Sequence, residues 1–155
     1  MRFECIGKVS FRLGVNPADL TTAQEKGVRI IKVHGKQMPM FYKKKKALDN
    51  EKLLTYAFSP YRFSKPIAND GETAVELKLR YLFPHTSSTP KWKRDELTFM
   101  TQRPDADNIS KAVVDCMTRL GFWEDDSMVN FHFSKYRSPN PCIMVEILTW
   151  KQFKE

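Results

Sequence analysis

Alternation of apolar and polar side chains is clearest in ETAVELKLRYLF, residues 72–83. Val75, Leu77, Leu79, Tyr81 and Phe83 fall on one face and Glu76, Lys78 and Arg80 on the other. A period of two predicts a β-strand covered on one face only, as in an antiparallel or edge position. Residues 2–13 and VRIIKVH (28–34) also predict strands. Near the end of the chain MVNFHFSKYR (128–137) and CIMVEILTW (142–150) are separated by the turn formers Ser138, Pro139, Asn140 and Pro141, which predicts a terminal hairpin. Helical spacing appears over 108–120, where Ile109, Ala112, Val113, Cys116 and Leu120 make one stripe that stops at Gly121. A second helix is predicted over 48–58, capped by Asp49 or Asn50. The basic stretches GKQMPMFYKKKK (35–46) and PHTSSTPKWKRDE (84–96) contain Pro or Gly and predict exposed loops.

Strands and helices therefore mix irregularly, without repeats. The expectation is one α/β (α+β) domain over residues 1–155, a small mixed β-sheet with packed helices. A chain of 155 residues with 41% hydrophobic and 12% aromatic residues can supply its core. The three cysteines, Cys5, Cys116 and Cys142, are odd in number and contain no C-x-x-C pair, which argues against a disulfide framework or a zinc knuckle. The N-terminal stretch alternates charged and apolar residues where an export signal needs a continuous apolar run, and no span of membrane length occurs, so a cytoplasmic location is expected.

Charge adds a second pattern. The formal net charge is +8, yet residues 1–98 carry +9 and residues 99–155 carry −1. A sequence pI near 9.4 points to a polyanionic partner, most commonly nucleic acid. Against that background RPDADNISKAVVDCMTRLGFWEDDSMV, residues 103–129, gathers five aspartates and a glutamate. Pro104 favours an extended lead-in, from which Asp105 and Asp107 project to one side if the chain stays extended. Lys111 and Asp115 follow Asp107 at intervals of four, on the helical face away from the apolar stripe. Beyond Gly121, Phe122 and Trp123 anchor the chain, and Asp125 and Asp126 follow.

Aspartates at a helix N-terminus are ordinary caps, and EDDS is an ordinary polar turn. A cap needs one acid, however, and clustered carboxylates repel unless a cation or proton offsets them. With carboxylates and no nearby His or Cys, Mg²⁺ or Mn²⁺ is favoured over zinc. An EF-hand is disfavoured because Ser110 and Cys116 stand where its glycine and final glutamate belong. An aspartyl-phosphate phosphatase, whose D-x-D pair directly follows an apolar strand near the chain start, is disfavoured because TFMTQRP precedes a mid-chain pair here and Ile109 replaces the usual Thr or Val.

The stretch 103–129 resembles the signature of the RusA family of Holliday-junction resolvases, roughly P-D-x-D-N-x-x-K, a helix with an Asp, then D-D before a strand. Ala106 replaces a larger apolar residue common there, and the N-terminal region lacks the Arg-Pro-Arg element of many members. The resemblance implies a RusA-like homodimer that cuts four-way DNA with Mg²⁺, for which Mn²⁺ can substitute, leaving 5′-phosphate ends in recombination and repair. It implies Asp105, Asp107 and Asp126 as metal-holding catalytic carboxylates and Lys111 as the essential lysine. Asn108 is either the helix N-cap or a residue that positions metal-bound water, and Asp125 either supports the ligands or makes a turn. For DNA, Lys43, Lys44, Lys45 and Lys46, and Lys91, Trp92, Lys93 and Arg94, combine phosphate-seeking cations with aromatics able to stack on bases. No organic cofactor is expected. Two alternatives stay open: a module that binds branched DNA without cutting it, and a nuclease acting on flaps and other branched DNA.

Overall fold

The computed structural model describes residues 1–20, 26–43 and 45–154. Its elements in chain order are β1 (Arg2–Leu13), β2 (Lys26–Val33), β3 (Lys36–Lys43), α1 (Lys45–Phe58), β4 (Thr73–Pro84), β5 (Thr98–Phe99), α2 (Ala106–Arg119), β6 (Val129–Ser138) and β7 (Cys142–Phe153). Five strands form one mixed sheet in the order β1-β7-β4-β6-β5, and β2 pairs with β3 in a separate two-stranded sheet. The result is the expected α+β domain.

The predicted terminal hairpin does not form. β4 lies between β6 and β7, parallel to the first and antiparallel to the second. Four residue steps lead from Ser138 to Cys142, enough to cross the roughly 10 Å that separate strands on either side of a third. β4 takes the central place because its apolar face, with Val75, Leu77, Leu79 and Tyr81 all but fully buried, needs cover from both neighbours. It is therefore interior, not an edge.

The buried face of β4 continues onto Ile143, Val145 and Ile147 of β7, and both helices cover it. From α1 come Leu54 and Phe58; from α2 come Ile109, Val113, Cys116 and Met117. Phe58 packs edge-on against Phe11 of β1 and against Phe122. The opposite face of the sheet is open and carries a charge ladder, with Glu146 beside Lys8 and Lys78 at 3.6 Å each.

α1 begins at least three residues earlier than the sequence pattern suggests, so Asp49 and Asn50 lie inside the helix and do not cap it; Asn50 is buried. Residues 36–43, expected in a loop, form β3. Pro39 disguised this strand, and it is tolerated because a two-stranded sheet has free edges where a missing N–H costs nothing.

α2 ends as the sequence suggests. Gly121 adopts φ +78°, its N–H reaches Thr118 O at 3.1 Å, and Phe122 N–H reaches Met117 O at 3.2 Å. This pair of bonds satisfies carbonyls that the last turn would otherwise leave unpaired. A Cβ at residue 121 would meet only Pro66 Cγ, at an ordinary 3.6 Å. Gly121→Ala is therefore expected to cost about 1–2 kcal/mol through backbone conformation alone, read as a lower urea midpoint at unchanged slope. Gly121→Asn should recover part of the loss, because Asn tolerates positive φ.

Candidate active site

The helix N-cap is Asp105, in extended conformation, and α2 starts at Ala106. The Asp105 side chain makes no capping hydrogen bond, so the usual structural use of an acid at this position is not being made. Asn108 lies within the first turn and is exposed; it is not the N-cap. Because α2 begins at Ala106, the chain is extended at Asp105 but already helical at Asp107, so the extended lead-in stops between the two.

Asp107 instead heads the polar stripe of α2. Together with Lys111 and Asp115, one and two helical steps of four further on, it lines a cleft of about 300 Å³ whose other walls include Ser110, Val114, Asp126, Phe131 and Phe133. Asp107, Lys111 and Asp126 of the sequence-derived set thus line one cleft, and Asp105 is not among its lining residues. Asp107, Lys111 and Asp126 are exposed, and among the described residues no ion pair joins Lys111 to Asp107.

Two features fix the first turn of α2. Ser110 Oγ donates to Ala106 O at 2.6 Å and lies 2.7 Å from the hydroxyl of Tyr81, which ties the turn to the central strand. Burial pushes the Tyr81 phenol well above its ordinary value, so it stays neutral here. The segment before the helix is held from β6: Lys135 Nζ donates to Gln102 O at 2.7 Å and to Pro104 O at 2.9 Å. Lys135 stands opposite Tyr81 in the parallel β4/β6 pair, whereas Asp126 leads into the other end of β6, at Val129 opposite Val75. At about 3.3 Å per residue these anchor points lie about 20 Å apart along the strand.

The two adjacent aspartates divide their work. Asp125 caps the short 3₁₀ turn Asp126–Met128, its Oδ1 accepting from Ser127 N–H at 2.9 Å. Hydrogen bonds from the Ser127 backbone and then its side chain hold the Asp125 carboxyl below its ordinary value. Asp126 is the exposed first residue of that turn and faces the cleft. Upstream, the chain is held by Ile67, which bridges Trp123: Ile67 N–H donates to Phe122 O at 3.1 Å and Glu124 N–H to Ile67 O at 3.0 Å.

Asp115, read from the sequence on the same helical face as Asp107 and Lys111, lines the cleft with them, whereas sequence reasoning missed Ser110, Phe131, Phe133 and Lys135 as parts of this region. Ser110 was legible in principle from its three-residue spacing to Asp107. Phe131 and Phe133 share the face of β6 that pairs with Leu77 and Leu79, yet they are 42% and 41% exposed, because nothing covers this flank as the helices cover β4. Half-exposed rings beside carboxylates wall the cleft with apolar surface.

The donor chemistry suits a hard divalent ion: Asp107, Asp115 and Asp126 offer only oxygens, with no His or Cys in the cleft. Among the described residues, no three of His, Cys, Asp or Glu are gathered closely enough to enclose an ion. An ion held here would have to draw on one or two of these carboxylates together with waters and substrate phosphate, a coordination Mg²⁺ commonly takes.

The predicted DNA-contacting residues lie on different elements. Lys45 and Lys46 lie on the first turn of α1, Lys43 ends β3, and Lys44 lies outside the described residues. Lys91, Trp92 and Lys93 form an exposed 3₁₀ turn in which Lys93 Nζ sits 4.9 Å from the Trp92 ring centre. The Arg94 guanidinium is engaged by its own loop, donating to Thr89 O and Ser87 O at 2.9 Å each.

The endodeoxyribonuclease RusA family model matches residues 22–148. The crossover junction endodeoxyribonuclease rusA of Lactococcus phage r1t is 32% identical over 109 residues, covering 70% of this chain and 73% of the phage protein. The family match takes in both helices, all the cleft residues and the acidic signature, so likeness extends well beyond one short motif, and the chain belongs to the RusA endodeoxyribonuclease family.

Proposed function

We propose that the protein is a Mg²⁺-dependent endonuclease that resolves Holliday junctions by paired symmetric incisions, in recombination and repair. The observation that supports this reading is that Asp107, Lys111 and Asp126 all line one cleft, within a chain whose family match spans residues 22–148. Asp107 and Asp126 would hold the metal ion, or Mn²⁺ in its place. Asp105, the N-cap of α2 and the third carboxylate of the signature, would complete the ligand set from beside the cleft. When bound, such an ion neutralises charge on a non-bridging phosphate oxygen and lowers the pKa of water.

The chain's own groups do the rest. Lys111 Nζ donates to a phosphate oxygen as negative charge builds there, which stabilises the transition state more than the ground state. Phe131 and Phe133 keep bulk water from one side of the reacting phosphate and so strengthen both interactions. Attack of water on phosphorus with departure of the 3′-oxygen leaves a 5′-phosphate.

The test uses labelled four-way junction, flap and linear duplex, each with and without Mg²⁺. The expected result is symmetric nicking of the junction only with the ion, leaving nicks that ligase seals. Binding without cleavage would establish the non-catalytic branched-DNA module instead, and equal cutting of flaps would establish a less selective nuclease.

A homodimer belongs to the same reading, since two symmetry-related incisions need two active sites and one chain supplies one. Sedimentation at assay concentration should give a mass twice the 18.1 kDa of the chain. A stable monomer that still makes paired incisions would refute it.

A further inference from the structure

The β2–β3 ribbon is unaccounted for by the cleft. Its strands pair in full register from Lys26↔Lys43 to Val33↔Lys36, joined by a two-residue turn at His34 (φ 50°) and Gly35 (φ 78°). Two positive φ values match the turn type whose twist suits a hairpin. Eight residues per strand make the ribbon about 27 Å long, and among the described residues its substantial packing is between its own two strands. Isolated two-stranded hairpins are marginal in water, so a ribbon of this length is expected to rest on something.

Charge identifies the occupant. Residues 26–43 contain five Lys or Arg and no Asp or Glu, and Lys44, Lys45 and Lys46 follow. One face carries Val28, Ile30 and Phe41, at 55%, 71% and 68% exposure, beside Lys32. The other carries Arg29 and Lys36 with Met38 and Tyr42. Self-association of these ribbons would set five charges against five of the same sign, which disfavours a second copy of the ribbon as the occupant. A polyanion reverses that sign, and a two-stranded β-ribbon has the width to enter a major groove.

Topology also favours this placement. β1 and β4 are both antiparallel to β7 and so run the same way. α1 leads from the first towards the start of the second, while α2 leads from the end of β4 to the start of its parallel neighbour β6. Thr55 meets Cys116 and Phe58 meets Phe122 in the same order, so the helices run alongside in one direction. The base of the ribbon, at the start of α1, is therefore at the same end of the sheet as the start of α2, which carries Asp107.

We propose that the β2–β3 ribbon is a DNA-docking arm, in which Arg29, Lys32 and Lys36 contact phosphates along one duplex arm and Ile30 and Phe41 rest on base faces laid open at a branch point. This rests on the nuclease reading for its substrate. Phosphate contacts give affinity for any duplex, whereas an apolar side chain gains most where stacking is already broken.

The test measures binding of the full chain to four-way junction and to linear duplex in metal-free buffer across a salt series, with sedimentation of each variant. The triple variant Arg29→Glu, Lys32→Glu, Lys36→Glu should bind both DNAs at least about tenfold more weakly with a shallower salt dependence, at unchanged mass. The pair Ile30→Ser, Phe41→Ser should lose preference for the junction and keep its affinity for duplex. A photo-crosslinker at Gln37 in the otherwise native arm should label junction DNA, which tests the placement even if a variant misfolds. Unchanged affinities with no labelled DNA would overturn the proposal, as would crosslinking to a second protomer with altered mass. If the arm behaves as expected but Mg²⁺ brings no cleavage, the arm stands and the nuclease reading falls; the reverse result removes the arm alone.

Discussion

Asp126→Asn should abolish junction cleavage and leave junction binding intact. The substitution keeps the shape of an exposed side chain on a 3₁₀ turn whose cap is the neighbouring Asp125, so folding should be untouched. It removes one negative charge from a cleft that approaches phosphate, and affinity should hold or rise. Loss of a ligand carboxylate should cost the reaction about a thousandfold, or about 4 kcal/mol of transition-state stabilisation. The measurement is single-turnover cleavage of a labelled four-way junction in Mg²⁺, with affinity measured separately in its absence. If Asp126 were only a turn residue, the variant would cut at nearly the native rate, and that outcome would remove it from the active site. Asp125→Ala separates the two aspartates: loss of its bond to Ser127 N–H should loosen the turn and reduce cleavage less severely.

Trp123→Ala should produce the largest loss of stability. Trp123 is 1% exposed, its Nε1–H donates to Thr118 Oγ1 at 2.8 Å, and its backbone is bridged to Ile67. It ties together the end of α2, the segment before β4 and the lead-in to Asp126. Removing a buried ring of this size leaves a cavity that the surrounding strand and helix cannot close, at a cost of about 3–5 kcal/mol. In urea the midpoint should fall at unchanged slope, because the native surface is little altered. Loss of less than about 1 kcal/mol would mean the site collapses around the gap and that Trp123 is not the anchor the packing indicates. Cleavage under fully folded conditions should also drop, since Asp126 follows three residues later.

Much of the architecture is legible in the sequence. The strict alternation of residues 72–83 marked β4, and the Ile109/Val113/Cys116 stripe with Gly121 marked α2 and its stop. These are local signals: each follows from the geometry of one element and the need to bury one side of it. The ribbon was harder to read because its apolar residues lie on both faces and Pro39 interrupts the strand pattern.

The candidate site divides in the same way. Lys111 four residues after Asp107 had to share a helix face with it once the helix existed. The signature also identified Asp126 as a candidate, although spacing along the chain left open whether it lines the same cleft as Asp107.

What the sequence determined by itself was therefore the identity and phase of the main elements, the segregation of acids from the basic body, and the family signature. Tertiary structure decided strand order, because β6 and β7 look like neighbours along the chain but only the central burial of β4 separates them. It also decided which acids line the cleft: Asp107 and Asp126, 19 residues apart, both do, and Asp105 is not among the lining residues. The physical reason is that periodicity fixes only which side of its own element a residue faces, and proximity between elements is set by how their buried faces pack.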